Sequence, residues 1–102
     1  MTLKKFTVSQ SAPQDFFDKI KSLIESRDLG KIVSFNLAGK ELTLIFSKLG
    51  TSQIKYKIDE SNNGFSCTLD SEKIAFAHRP FRGDIEEKLA RVMQKLGAVI
   101  IS

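Results

Sequence analysis

The sequence predicts an α+β fold: a two-layer sandwich in the order β-α-β5-α, with both helices on one face of an antiparallel meander sheet. Three observations carry this. Phe81, Ile85, Leu89, Val92, Met93 and Leu96 recur at steps of three and four, the apolar stripe of a helix that needs a surface to lie on. Phe16, Phe17, Ile20, Leu23 and Ile24 form a second such stripe, with Asp15, Asp18, Lys19, Lys21, Glu25 and Arg27 left for solvent. Around and between them, short runs alternate apolar and polar residues with the period of a half-buried strand.

Taken in order, Leu3–Ser9 alternates Phe6 and Val8 with polar neighbours and reads as the first strand. Ser11 and Gln14 have capping-box spacing, and Pro13 fits a first helical turn, where its missing N–H is harmless. Gly30 reads as a left-handed stop. Val33, Phe35 and Leu37 then alternate up to Gly39-Lys40, a two-residue hairpin turn with glycine first. That turn predicts the pairs Leu37/Leu42, Phe35/Leu44 and Val33/Phe46, apolar against apolar throughout.

A connection around Leu49-Gly50-Thr51 brings Phe46, Leu44 and Leu42 to Ile54, Tyr56 and Ile58. Ser61-Asn62-Asn63-Gly64 is a dense turn signal. A further tight turn at Ser71-Glu72 is expected to pair Leu69 with Ile74, Cys67 with Phe76 and Phe65 with His78. Pro80, or Asp84 with Glu87 three residues on, opens the final helix, and Gly97 closes it ahead of an apolar tail. On this reading all eight phenylalanines enter one core.

At 102 residues, 41% hydrophobic and 27% charged, the chain suits one globular domain spanning residues 1–102. No apolar run approaches a membrane span and no leader pattern opens the chain, so a cytoplasmic protein is expected. The lone Cys67 and lone His78 leave no disulfide scaffold and no zinc cluster, and neither a metal nor a cofactor is expected. The net charge of +4 permits an anionic partner without requiring one.

The outward face of the predicted sheet carries Lys5, Lys55 and Lys57 with small polar residues and no carboxylate in its middle. With Arg79 and Arg82, which flank Pro80-Phe81, these lysines are the candidates for contact with nucleic acid or another anion. The candidates for an apolar contact are His78, Phe81, Met93, Val99 and Ile101, along a groove beside the final helix and the tail. His78 is the one side chain suited to proton transfer near neutrality, but its place at the end of a strand fits a buried plug better. Cys67, between Phe65 and Leu69, fits an inert core thiol. Asp84, Glu86 and Glu87 suit the positive end of the final helix.

The layout is similar to small single-copy relatives of the TATA-binding-protein and helix-grip architectures. Through Ile74–Phe76, Pro80-Phe81-Arg82-Gly83 and Ile85-Glu86-Glu87-Lys88-Leu89 the chain resembles the small bacterial family of polyhydroxyalkanoic acid system proteins. Members of that family end in an apolar strand, a Pro/Gly step and an Ile/Leu-striped helix. The tryptophan common in their second strand is absent here, with Phe35 in its place. The resemblance implies association with storage granules or an apolar surface, and it carries over no catalytic residue.

The expected function is therefore a small binding or interaction module without catalysis, engaging a protein or an apolar surface. A nucleic-acid or anionic-ligand binder is the alternative, and an enzyme with His78 as base comes third. The apolar tail or an edge strand offers a route to a homo-oligomer.

Overall fold

A computed structural model of the chain describes residues 3–48 and 50–101. Leu49, in the connection read at Leu49-Gly50-Thr51, and Ser102 of the tail lie outside them. The strands are β1 (Lys5–Ser9), β2 (Val33–Ala38), β3 (Glu41–Ser47), β4 (Thr51–Ser61), β5 (Gly64–Lys73) and β6 (Ala98–Ile100). The helices are α1 (Pro13–Ile24), α2 (Asp28–Ile32) and α3 (Arg82–Lys95), with a single 3₁₀ turn at Phe76–His78. The sheet runs in the order β2-β3-β4-β5-β1-β6, every neighbouring pair antiparallel.

The predicted α+β sandwich is therefore what the chain forms. Phe6, Val8, Val33, Leu42, Leu44, Phe46, Ile54, Tyr56, Ile58, Phe65 and Cys67 are buried from the sheet, against Phe16, Phe17 and Ile20 of α1 and Leu89 and Met93 of α3. The aromatic rings meet edge-on or tilted: Phe16 and Phe17 each contact Phe65, and Phe17 also reaches Phe6 and Phe35. Such arrangements contribute beyond simple burial.

The β2–β3 register is the predicted one, Val33 facing Phe46, Phe35 facing Leu44 and Leu37 facing Leu42. Gly39 has the positive φ of 60° that its turn position needs. Between β3 and β4 the expected register is displaced by two residues: Leu44 faces Ile54 and Leu42 faces Tyr56, while Phe46 lies opposite Ser52. A shift of two keeps each side chain on its own face, so the core composition is unchanged.

The turn expected at Ser71-Glu72 is absent. β5 runs straight on to Lys73, and the register between Lys55 and Tyr56 slips by one, a β-bulge. Before the bulge Cys67 and Leu69 face the helices; after it Glu72 does, because it lies opposite Ile54. Ile74 is consequently half-buried beyond the strand, and Phe76 is 83% exposed rather than paired with Cys67. Phe81, at 60%, is the second phenylalanine outside the core.

Helix boundaries differ in three places. Ala12, not Ser11, is the N-cap of α1, and the Ser11 hydroxyl donates to the Ala12 carbonyl while Gln14 donates to Asp18. Gly30 lies inside α2 instead of ending α1, and a Cβ there would stand 2.1 Å from the Ile24 carbonyl oxygen, so the residue answers a close approach of backbone. α3 begins at Arg82 with Phe81 as N-cap, between the two starts considered. The tail supplies β6, which pairs with β1 and makes one edge of the sheet.

Candidate functional site

The segment from Ile74 to Phe81 leaves the sheet and crosses its end to reach α3. A run of tight turns shapes it, with His78 N–H donating to Ala75 O at 2.9 Å and Phe81 N–H to His78 O at 3.0 Å. Its anchor is the His78 ring, which is 5% exposed and meets Phe46 edge-on. A carbonyl only accepts, so Nε2 carries the hydrogen given to Lys48 O, and Nδ1 accepts from the Ser52 hydroxyl at 2.5 Å. Ser52, fully buried, in turn accepts from Ala75 N–H at 2.8 Å.

The Ser52–His78 pair superficially suggests nucleophilic catalysis. Yet Ser52 has no solvent access, and both imidazole nitrogens are already engaged within the protein. The pair instead pins the connector to the sheet. Removing the ring leaves the buried Ser52 hydroxyl and Lys48 carbonyl without this partner, so His78→Ala is expected to lower stability by about 2–4 kcal/mol, read by urea denaturation. A loss below about 1 kcal/mol would remove the pin from the account.

Beside this anchor, α2, the connector and the first turns of α3 enclose an open pocket of about 360 Å³. Leu29, Ile32, Ala77, Phe81 and Ile85 make its walls apolar, and His78 forms part of one side. Lys48, Lys88, Asp28 and Asp84 stand around it, with Lys88 and Asp84 paired at 3.2 Å. Of the groove candidates, His78 and Phe81 are here. Met93 is fully buried in the core and is not among the residues around this pocket. Val99 and Ile101, 57% and 56% exposed, belong to the β6 edge and take no part in the pocket, so the groove expected to join helix and tail is not one surface.

The basic candidates are also dispersed. Lys55 is 3.7 Å from Glu41, and Lys57 is 3.7 Å from Asp70. Glu41, the first residue of β3, lies directly opposite Lys57, so a carboxylate stands beside the lysines of an outward face that was expected to carry none in its middle. Lys5 is exposed on β1. Arg82 is committed inward, bonding Glu86 through Nε at 2.5 Å and Glu72 through its terminal nitrogen. Burial works against its charge, but these two hydrogen bonds and carboxylates outweigh that and hold its pKa above the usual value. Arg79 alone stays in the connector, its guanidinium 5.6 Å from the centre of the Phe76 ring.

Glu86 is the residue that sequence reasoning misplaced most. It is fully buried, accepting from Arg82 and from the backbone N–H of Leu3, while the Tyr56 hydroxyl donates to Leu3 O at 2.7 Å. The chain ahead of β1 is thereby tied to α3 and β4. Burial first, then the Glu86 charge, raises the Tyr56 pKa above its ordinary value.

Cys67 is a buried core thiol, as read from the sequence. Burial, with a smaller effect of Asp59, pushes its pKa up to about 12. Above the free thiol's value the unfolded chain therefore binds fewer protons than the folded one. The corresponding stability is complete below about pH 9, and roughly 1.4 kcal/mol is lost per pH unit above that. The decline continues until the folded thiol itself ionises near 12. Denaturation midpoints should stay level to the first pH and fall beyond it, less steeply in Cys67→Ala. An identical slope in the two proteins would contradict the assignment.

No protein-family model, curated protein or solved structure matches this chain.

Proposed function

We propose that this protein is a small non-catalytic binding module that receives an apolar group in the pocket between α2, the connector and the start of α3. The observation that carries the reading is the pocket itself: about 360 Å³, walled mainly by hydrocarbon, with Phe81 standing 60% exposed at its side. Pockets of about 300–1,000 Å³ with this character are the common form of small-ligand site. The apolar group belongs to a small molecule, a partner's side chain or, following the resemblance, the surface of a polyester granule.

Titration with the fluorescent probe anilinonaphthalene sulfonate tests the reading. Ile32→Trp fills the pocket from its half-buried wall and should weaken probe binding about tenfold or more, with the far-ultraviolet dichroism unchanged. Equal affinity in the filled variant would sink the reading. Cosedimentation with purified polyhydroxyalkanoate granules separates the granule surface from soluble ligands.

A further inference from the structure

We infer that the connector end of the sheet is a docking site for an anionic phospholipid membrane surface, held by insertion of Phe76 and Phe81. The inference uses the same corner as the proposed pocket but does not depend on the pocket being filled. Phe76 at 83% and Phe81 at 60% are the most exposed large hydrophobic side chains among the described residues. Both stand on hydrogen-bonded backbone. The turns of the connector and the buried His78 ring between them hold the backbone in place while the two rings point away from the core.

The charges at this end complement an anionic surface. Lys73 is placed here by its pairing with Gln53, and Lys48 by its carbonyl, which accepts from the His78 ring. Among the described residues, Lys48, Lys73 and Arg79 lie within ion-pair distance of no carboxylate. The nearby carboxylates Glu72 and Asp84 are taken by Arg82 and Lys88, which leaves Asp28 as the opposing charge on the pocket rim. Aromatic side chains flanked by unpaired cations are the chemistry that binds at a headgroup and acyl-chain boundary.

A single-stranded nucleic acid fits less well. Successive bases stack on aromatic faces set along a cationic groove, whereas here Arg79 already lies over one face of the Phe76 ring and Phe81 borders an apolar pocket.

Sedimentation with phosphatidylcholine vesicles, with and without phosphatidylglycerol, tests the proposal. Binding is expected only when the anionic lipid is present, and it should weaken as salt rises. Phe76→Ala with Phe81→Ala removes two exposed side chains, so the fold is retained, and binding should drop roughly a hundredfold. Lys73→Glu with Arg79→Glu should lower it by about tenfold or more. The chain has no tryptophan, so Phe81→Trp adds a lone reporter whose emission should shift to the blue on insertion. Ile32→Trp borders Phe81 but leaves Phe76 and the cations in place, so it should weaken vesicle binding far less than the phenylalanine pair does, even if it abolishes probe binding in the pocket.

The proposal is overturned if wild-type protein ignores the anionic vesicles, or if it binds neutral ones equally well. A loss in Ile32→Trp as large as that in the phenylalanine pair would make the pocket, not the exposed rings, the lipid site. Tighter binding to an oligothymidylate than to the vesicles would assign the patch to nucleic acid.

Discussion

Replacing Glu86 with alanine is expected to lower the unfolding free energy by about 3–5 kcal/mol, the cost of breaking a buried charge pair by removing one partner. The position has no solvent to compensate the loss, since Glu86 is fully buried. Its removal leaves the Leu3 N–H without its acceptor and Arg82 with only Glu72, from a side chain that is 18% exposed. Because Arg82 keeps one carboxylate, the lower end of that range is the expected value. In urea, with roughly 1 kcal/mol per molar of denaturant for a small domain, the midpoint should fall by about 3 M. The double variant Arg82→Met, Glu86→Leu removes both charges, and it should recover at least half of the loss. If the alanine variant unfolds within about 1 kcal/mol of wild type, the tie between the chain ahead of β1 and α3 contributes little.

That network also shows where the sequence was legible and where it was not. Alternation alone identified the inward set of β2, β3 and β4, because one face of the sheet is buried and a single-residue slip would invert it. Alternation could not separate a hairpin from a bulge in β5. The apolar phase changes between Leu69 and Ile74, and either device accounts for that change. The bulge was the answer, and it aims Glu72 at Arg82 while releasing Phe76 from the sheet.

Glu86 was hidden for a related reason. A carboxylate beside other carboxylates in a first helical turn has a sufficient local explanation in the helix dipole. Its actual partners, Leu3 and Arg82, include a residue 83 positions away. One clue was present: Glu86 immediately follows Ile85 and lies three residues before Leu89, close to the apolar stripe. For the pocket, Phe81 and His78 are readable as candidates, whereas Leu29 and Ile32 are not, because a glycine at position 30 reads as a helix stop when in fact it allows a second helix to pack against the first.

The second large effect is expected at Gly64, where space and conformation act together. It opens β5 opposite Ser9 with φ of +152°, and a Cβ there would lie 1.9 Å from the Val8 carbonyl oxygen and 2.9 Å from Ser9 Cα. Both neighbours are backbone, so relief requires β5 to move away from β1. That displacement falls where β1 passes into α1 through Gln10, itself at φ 59° and donating to Asn63 O. Overpacking of about 1–3 kcal/mol and unfavourable backbone of about 1–2 kcal/mol should together cost Gly64→Ala some 2–5 kcal/mol.

Gly39 provides the comparison, with φ of +60° and nothing within 4 Å of its would-be Cβ. Gly39→Ala should therefore show the conformational cost alone, about 1–2 kcal/mol, and Gly39→Asn less, because asparagine tolerates the left-handed region. By thermal denaturation the Gly64 variant should melt about 10 °C or more below wild type and the Gly39 variant by about half as much or less. Equal depressions would show that the backbone angle alone matters, and that the close approach of β5 to Val8 is not what keeps glycine at that end of the sheet.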